Sequence, residues 1–100
     1  MPFVKVASVD ELKSGQGKTV TANGEEVALF NVNGKFFAIS NICAHRGGPL
    51  GEGELEGQIV TCPLHGWQYD VETGECQTMP GSQVKHYEVK IEGKDVLVSV

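Results

Sequence analysis

Three cysteines in 100 residues cannot make a complete disulfide framework, because one thiol is always left over. Long apolar runs are missing too. Val27-Ala28-Leu29-Phe30 and Phe36-Phe37-Ala38-Ile39 are the longest, far short of the roughly 18 residues a membrane helix needs. Basic charge is scarce: 8 Lys and Arg against 13 Asp and Glu give a formal charge of −5. An acidic surface repels phosphate backbones, which argues against nucleic acid as a partner. Met1 to Glu11 lacks the basic start and apolar centre of a secretory signal. No repeat, charge block or low-complexity linker divides the chain, and no stretch has the length and period of a full amphipathic helix. These absences predict one compact domain over residues 1–100, away from the membrane and in the cytoplasm. In a reducing cytosol its thiols are metal ligands or core residues rather than bridges.

What remains is a pattern of short strands separated by Gly, Asn and Asp. Phe3 to Ala7 alternates apolar and other residues as a strand does. Ser8 precedes Glu11 by three positions, the spacing of a capped helical turn. Asn23-Gly24 and Asn33-Gly34 are turn dipeptides, since both residue types tolerate positive φ. The second lies between Glu26–Val32 and Lys35–Ser40 and predicts a hairpin. Gln58 to Thr61 and Trp67 to Val71 are further short strands, and His86 to Val100 reads as a hairpin about Glu92-Gly93-Lys94-Asp95. Many short strands at regular spacing imply an all-β fold, a small antiparallel sandwich or barrel. Residues 41 to 55 and Pro63–Gly66 are loop-like, and the chemistry is concentrated there.

Cys43-Ala44-His45 is a C-x-H pair and Cys62-Pro63-Leu64-His65 a C-x-x-H pair. Each follows a strand-like segment, so two loops at one end of a β scaffold bring four thiolate and imidazole donors together. Gly47, Gly48 and Gly66 beside them allow close approach of backbone N–H groups, as cluster sulfurs require. Two metals suit this donor set. A Cys₂His₂ zinc site is one, although zinc modules commonly pair C-x2-4-C with H-x3-5-H. An iron–sulfur cluster is the other, and colour separates them, because zinc sites are colourless.

The segments CAHRGG at 43–48 and CPLHGWQYD at 62–70 resemble the two cluster-binding boxes of Rieske [2Fe–2S] proteins. The likeness extends to chain length, strand-rich flanks and a Pro80-Gly81 loop. It implies a Rieske-type fold with a two-loop cluster-binding subdomain and one [2Fe–2S] cluster per chain. Cys43 and Cys62 would hold one iron, and His45 and His65 the other. Two ferric ions and two sulfides sum to about +2, so two thiolates bring the oxidised assembly to about zero, against about −2 with four. Adding an electron to a neutral site costs less Coulomb work, hence the roughly −150 to +300 mV range of such centres. High-potential members carry a further Cys in each box, forming a disulfide; Gly48 and Leu64 stand there instead. Trp67 stands where the family's potential-raising Ser would be, whereas the matching Tyr is present as Tyr69. The expectation is a low-potential centre nudged upward by Tyr69, with a potential that falls at alkaline pH as His45 and His65 deprotonate. Trp67 and the Met79-Pro80-Gly81 loop would shield the cluster from water.

The boxes also look like those of ring-hydroxylating oxygenase large subunits. Such an enzyme needs a mononuclear iron held by two His and a carboxylate, and only His86 is left over. The resemblance therefore implies a carrier rather than a catalyst: a soluble Rieske-type ferredoxin, monomeric as a shuttle is by default. A flavin-containing NAD(P)H-dependent reductase would feed it, and the terminal oxygenase of a dioxygenase or monooxygenase would accept its electrons. The rival assignments are a nitrite-reductase small subunit and the zinc module. Cys76 is given no role, and His86 is read as a satisfied edge histidine. Arg46 is a docking residue or a solvated loop charge. Glu52, Glu54 and Glu56 are a solvated edge or a negative face for a basic partner.

Overall fold

The apolar run Val27–Phe30 sits in a strand that is buried on both faces. In the computed structural model, which describes residues 3–42, 49–64, 66–79 and 81–99, Val27, Ala28, Leu29 and Phe30 are all fully buried. Side chains alternate across a strand, so an unbroken apolar run needs a core on each side. Val27 and Leu29 enter one core with Ala7, Val20, Ala22, Ala38, Val96 and Val98. Ala28 and Phe30 enter the other with Ile39, Leu50, Val60, Cys62, Tyr69 and Val71.

Among the described residues ten strands build these layers: β1 (Phe3–Ser8), β2 (Gln16–Ala22), β3 (Glu25–Val32), β4 (Lys35–Ser40), β5 (Glu54–Glu56), β6 (Ile59–Thr61), β7 (Gln68–Asp70), β8 (His86–Tyr87), β9 (Val89–Glu92) and β10 (Asp95–Ser99). They form three sheets of order β1-β10-β9, β2-β3-β4-β8 and β5-β6-β7. Every pairing between these strands is antiparallel. The central sheet thus lies between a basal sheet and the small β5-β6-β7 sheet, and the all-β sandwich expectation holds.

The turns follow their chemistry. Asn23 and Gly24 have φ of 51° and 82°, and Asn33 and Gly34 have 52° and 88°. Positive φ at both central residues matches the right-handed twist of the flanking strands. Ser8 N–H donates to Glu11 Oε2 at 2.9 Å, and residues Val9–Glu11 form a single 3₁₀ turn.

Three elements differ from the sequence reading. β2 went unrecognised because Gly17, Lys18 and Thr19 blur its alternation, yet Val20 and Ala22 are buried against β3. Glu54–Glu56, whose first two residues were read as loop, is a strand paired with β6, and Leu55 alone of the three turns to the core. The C-terminal hairpin is shorter than expected. His86 and Tyr87 pair with Ile39 and Ala38 of β4, and only β9 and β10 form the hairpin. His86 is exposed on β8, as an edge histidine would be.

Candidate metal centre

β4 delivers the chain to Asn41 and Ile42, and Ile42 bridges antiparallel to Pro49. The residues that flank the 43–48 segment therefore lie side by side. Asn41 fastens this stem. Its backbone C=O accepts Leu50 N–H at 2.9 Å, and its Oδ1 accepts Gly51 N–H at 2.7 Å and the Thr19 hydroxyl at 3.1 Å. Asn41 is only 3% exposed, so its polar atoms must find protein partners. Gly51 runs so close to β2 that a Cβ there would stand 2.7 Å from Thr19 N.

The second loop joins β6 to β7. Cys62 N–H donates to Trp67 C=O at 2.7 Å, and Gly66 N–H to Cys62 C=O at 3.0 Å. Gly66 takes φ +75°, a conformation that favours glycine and lets the turn close. Cys62 is buried, carries no disulfide and packs in the cluster of Leu50, Val60, Tyr69 and Cys76. Tyr69 is wholly buried opposite Val60 on β6, and Trp67 is half-buried against the same cluster. A cleft of 280 Å³ is lined by Glu52, Gly53 and Glu54 on one side and Cys62, Pro63 and Gly66 on the other. The exit of the first loop thus lies against the second.

A third segment follows β7. Asp70 Oδ1 accepts Glu72 N–H at 2.8 Å and starts a turn that brings Cys76 opposite Tyr69. Cys76 is buried, and its Sγ accepts Met79 N–H at 3.3 Å. The thiol given no role from sequence therefore anchors Met79.

Of the residues predicted around the site, Cys62, Gly66, Trp67 and Tyr69 converge at this end. Cys43, His45, Arg46, Gly47, Gly48, His65 and Pro80 lie outside the described residues. Among the described residues, no three His, Cys, Asp or Glu side chains gather about one point. Sequence reasoning missed Asn41 and Thr78. A single Asn or Thr in a loop carries no periodicity, so no local signal marks either.

The Rieske [2Fe-2S] domain description matches residues 2–95. The chain belongs to that family. Its dioxygenase-ferredoxin relatives are matched over almost their full length, whereas human apoptosis-inducing factor 3 is matched over 16% of its own. It is 42% identical to the biphenyl dioxygenase ferredoxin subunit of Pseudomonas sp. (strain KKS102), covering 98% of this chain and 92% of that protein. The solved ferredoxin of carbazole 1,9a-dioxygenase from Nocardioides aromaticivorans IC177 superposes with a TM-score of 0.92 at 32% identity, covering 99% of this chain and 98% of that one. A structure described as a complex of reduced oxygenase and oxidised ferredoxin in carbazole 1,9a-dioxygenase matches with a TM-score of 0.89 at 28% identity, covering 97% and 92%.

The Rieske family implies a [2Fe–2S] cluster, and the described residues fit one. A buried, unbridged thiol is held by a tight turn against the stem of the other loop. Metal binding requires a thiolate in a fixed place, and the two backbone bonds across residues 62–67 fix Cys62.

Proposed function

We propose that this protein is a one-electron carrier, a Rieske ferredoxin serving an oxygenase system rather than a catalyst itself. Residues 1–100 form a single domain whose loops at about 43–48 and 62–67 hold one [2Fe–2S] cluster. Cys43 and Cys62 are the thiolate ligands, and His45 and His65 the imidazole ligands. The observation that carries this reading is the buried Cys62, fixed in its turn and facing the stem of the first loop. When bound, the cluster supplies a site for one electron at a time. The chain's own part is to fix the ligands, to limit water with Trp67, Tyr69 and the 77–81 segment, and to present the loops to partners.

The donor is a flavin-containing NAD(P)H-dependent reductase, and the acceptor is the terminal oxygenase of a dioxygenase or monooxygenase. The ferredoxin names of the full-length relatives and the ferredoxin–oxygenase complex support the oxygenase as acceptor. Charge supports a basic docking surface on the partner. Residues 49 to 84 carry Glu52, Glu54, Glu56, Asp70, Glu72 and Glu75 but no Lys or Arg. The ion pairs found among the described residues engage other acids, so these carboxylates keep their charge available. Steered encounters of this kind are small and brief. Among the described residues no helix is long and apolar enough to cross a membrane, and a monomer in the cytoplasm completes the reading.

The test begins with anaerobic reconstitution using iron and sulfide. A red-brown protein whose dithionite-reduced form gives the low mean g of mixed Cys/His ligation is expected, and single Ala variants of Cys43, His45, Cys62 and His65 should each lose it. Mixed with an aromatic-ring dioxygenase and its reductase, the protein should accelerate NAD(P)H-dependent turnover. Colourless protein holding zinc would sink the cluster assignment, and no acceleration with any such oxygenase would sink the carrier role.

A further inference from the structure

The segment after β7 is tied to Gln68 by one backbone bond and one side-chain acceptor rather than by a continuous ladder. Gln77 N–H donates to Gln68 C=O at 2.7 Å, but the return bond, from Gln68 N–H, goes to the Thr78 hydroxyl at 2.9 Å. Gln68 directly follows Trp67, whose C=O closes the turn on Cys62. At its other end the segment is held by Cys76 Sγ, which accepts Met79 N–H at 3.3 Å. Cys76 is itself placed by the Tyr69–Cys76 bridge and by its own N–H, which donates to Ser82 C=O at 2.9 Å. Two side-chain acceptors, the Thr78 hydroxyl and Cys76 Sγ, therefore add to the backbone bonds that Gln77 and Met79 make at this turn.

We propose that Thr78, with Cys76 as its second anchor, is a positioning residue for the redox site: the two acceptors strap residues 77–79 to Gln68 and Cys76 and so hold the 62–67 turn. The inference rests on the ferredoxin reading. A backbone N–H that loses its acceptor turns to water, so removing either anchor lets the strap open. Opening admits water beside Cys62 and Trp67. Reduction adds negative charge to an assembly that starts near neutral, and water favours the more charged form. The midpoint potential therefore rises when the strap loosens. Gln68 and Thr78 are both exposed, so the loss acts locally and leaves the buried sheets intact.

Thr78→Val removes the acceptor at nearly constant volume, and Thr78→Ser keeps it. Cys76→Ala removes the second anchor. The experiment uses the reconstituted full chain and reads amide exchange together with the midpoint potential. In Thr78→Val the Gln68 amide should exchange faster by on the order of fivefold, the value of a modest hydrogen bond. Amides of β3 should be unchanged, and the potential should shift upward. Cys76→Ala should do the same at Met79, and Thr78→Ser should match the unaltered protein. The proposal is overturned by unchanged Gln68 exchange in Thr78→Val, by faster exchange with no change of potential in either variant, or by an equal shift in Thr78→Ser. Unaltered protein that takes up no iron would instead defeat the ferredoxin reading.

Discussion

Replacing Asn41 by Ala removes one oxygen and leaves two donors without it. Gly51 N–H, bonded at 2.7 Å, lies in a buried glycine, so it cannot turn to solvent without moving the stem. A buried donor stripped of its acceptor costs about 1–3 kcal/mol. The Thr19 hydroxyl, at 3.1 Å in a half-buried position, rotates to water and costs roughly 0.5 kcal/mol or less. The sum is about 2 kcal/mol. For a chain of this size each kcal/mol shifts the midpoint of thermal unfolding by roughly 4–8 °C, so Asn41→Ala should melt on the order of 10 °C lower. Far-UV circular dichroism at a fixed scan rate measures this, with visible absorbance followed in the same sample. Because Asn41 fastens the stem of the 43–48 segment, bleaching should move down at least as far as the sheet signal. Thr19→Val is the control and should shift the melt by only a few degrees. If Asn41→Ala melts within about 2 °C of the unaltered protein, the buried acceptor is not what holds the stem.

Gly53→Ala tests close approach near Cys62. Gly53 has φ −77°, which alanine adopts freely, but its Cβ would overlap the Thr61 carbonyl oxygen. Such overpacking costs about 1–3 kcal/mol, and a melt unchanged from the unaltered protein would show that the 3₁₀ turn Leu50–Glu52 and β6 are free to separate. The second concerns alkaline pH. Burial chiefly, then the Glu25 charge and its hydrogen bond at 3.4 Å, hold the Tyr87 phenol above its usual 10.0. The folded chain therefore keeps this proton more tightly than the unfolded one. The contribution is whole below the unfolded value near 10 and is lost as pH rises through the folded value. Tyr87→Phe should flatten the fall in stability above pH 10, and an equally steep fall in denaturant titrations would refute the assignment.

Local chemistry made much of this molecule legible. The Asn33-Gly34 hairpin was readable because two positive φ values in succession leave few alternatives to that dipeptide. The two Cys/His boxes stood out because their spacing survives in the linear chain, and the family they resemble is the one the chain belongs to; of their four donors only Cys62 is among the described residues. β2 and β5 were not, since each owes its strand to a partner far along the sequence: β2 to β3, and β5 to β6 with Leu55 as its one inward residue. His86 and Tyr87 continued the C-terminal alternation on paper, yet β4 offered them an open edge.

Composition and order alone pointed to an all-β chain of the Rieske family, because turn preference and the spacing of Cys and His are properties of single residues and their neighbours. Tertiary structure decided the rest. Whether Asn41, Cys76 and Thr78 matter depends on which orphan N–H each meets, and those N–H groups come from Gly51, Met79 and Gln68. No spacing rule encodes such meetings. They arise when burial brings segments together and every backbone donor must still find an acceptor.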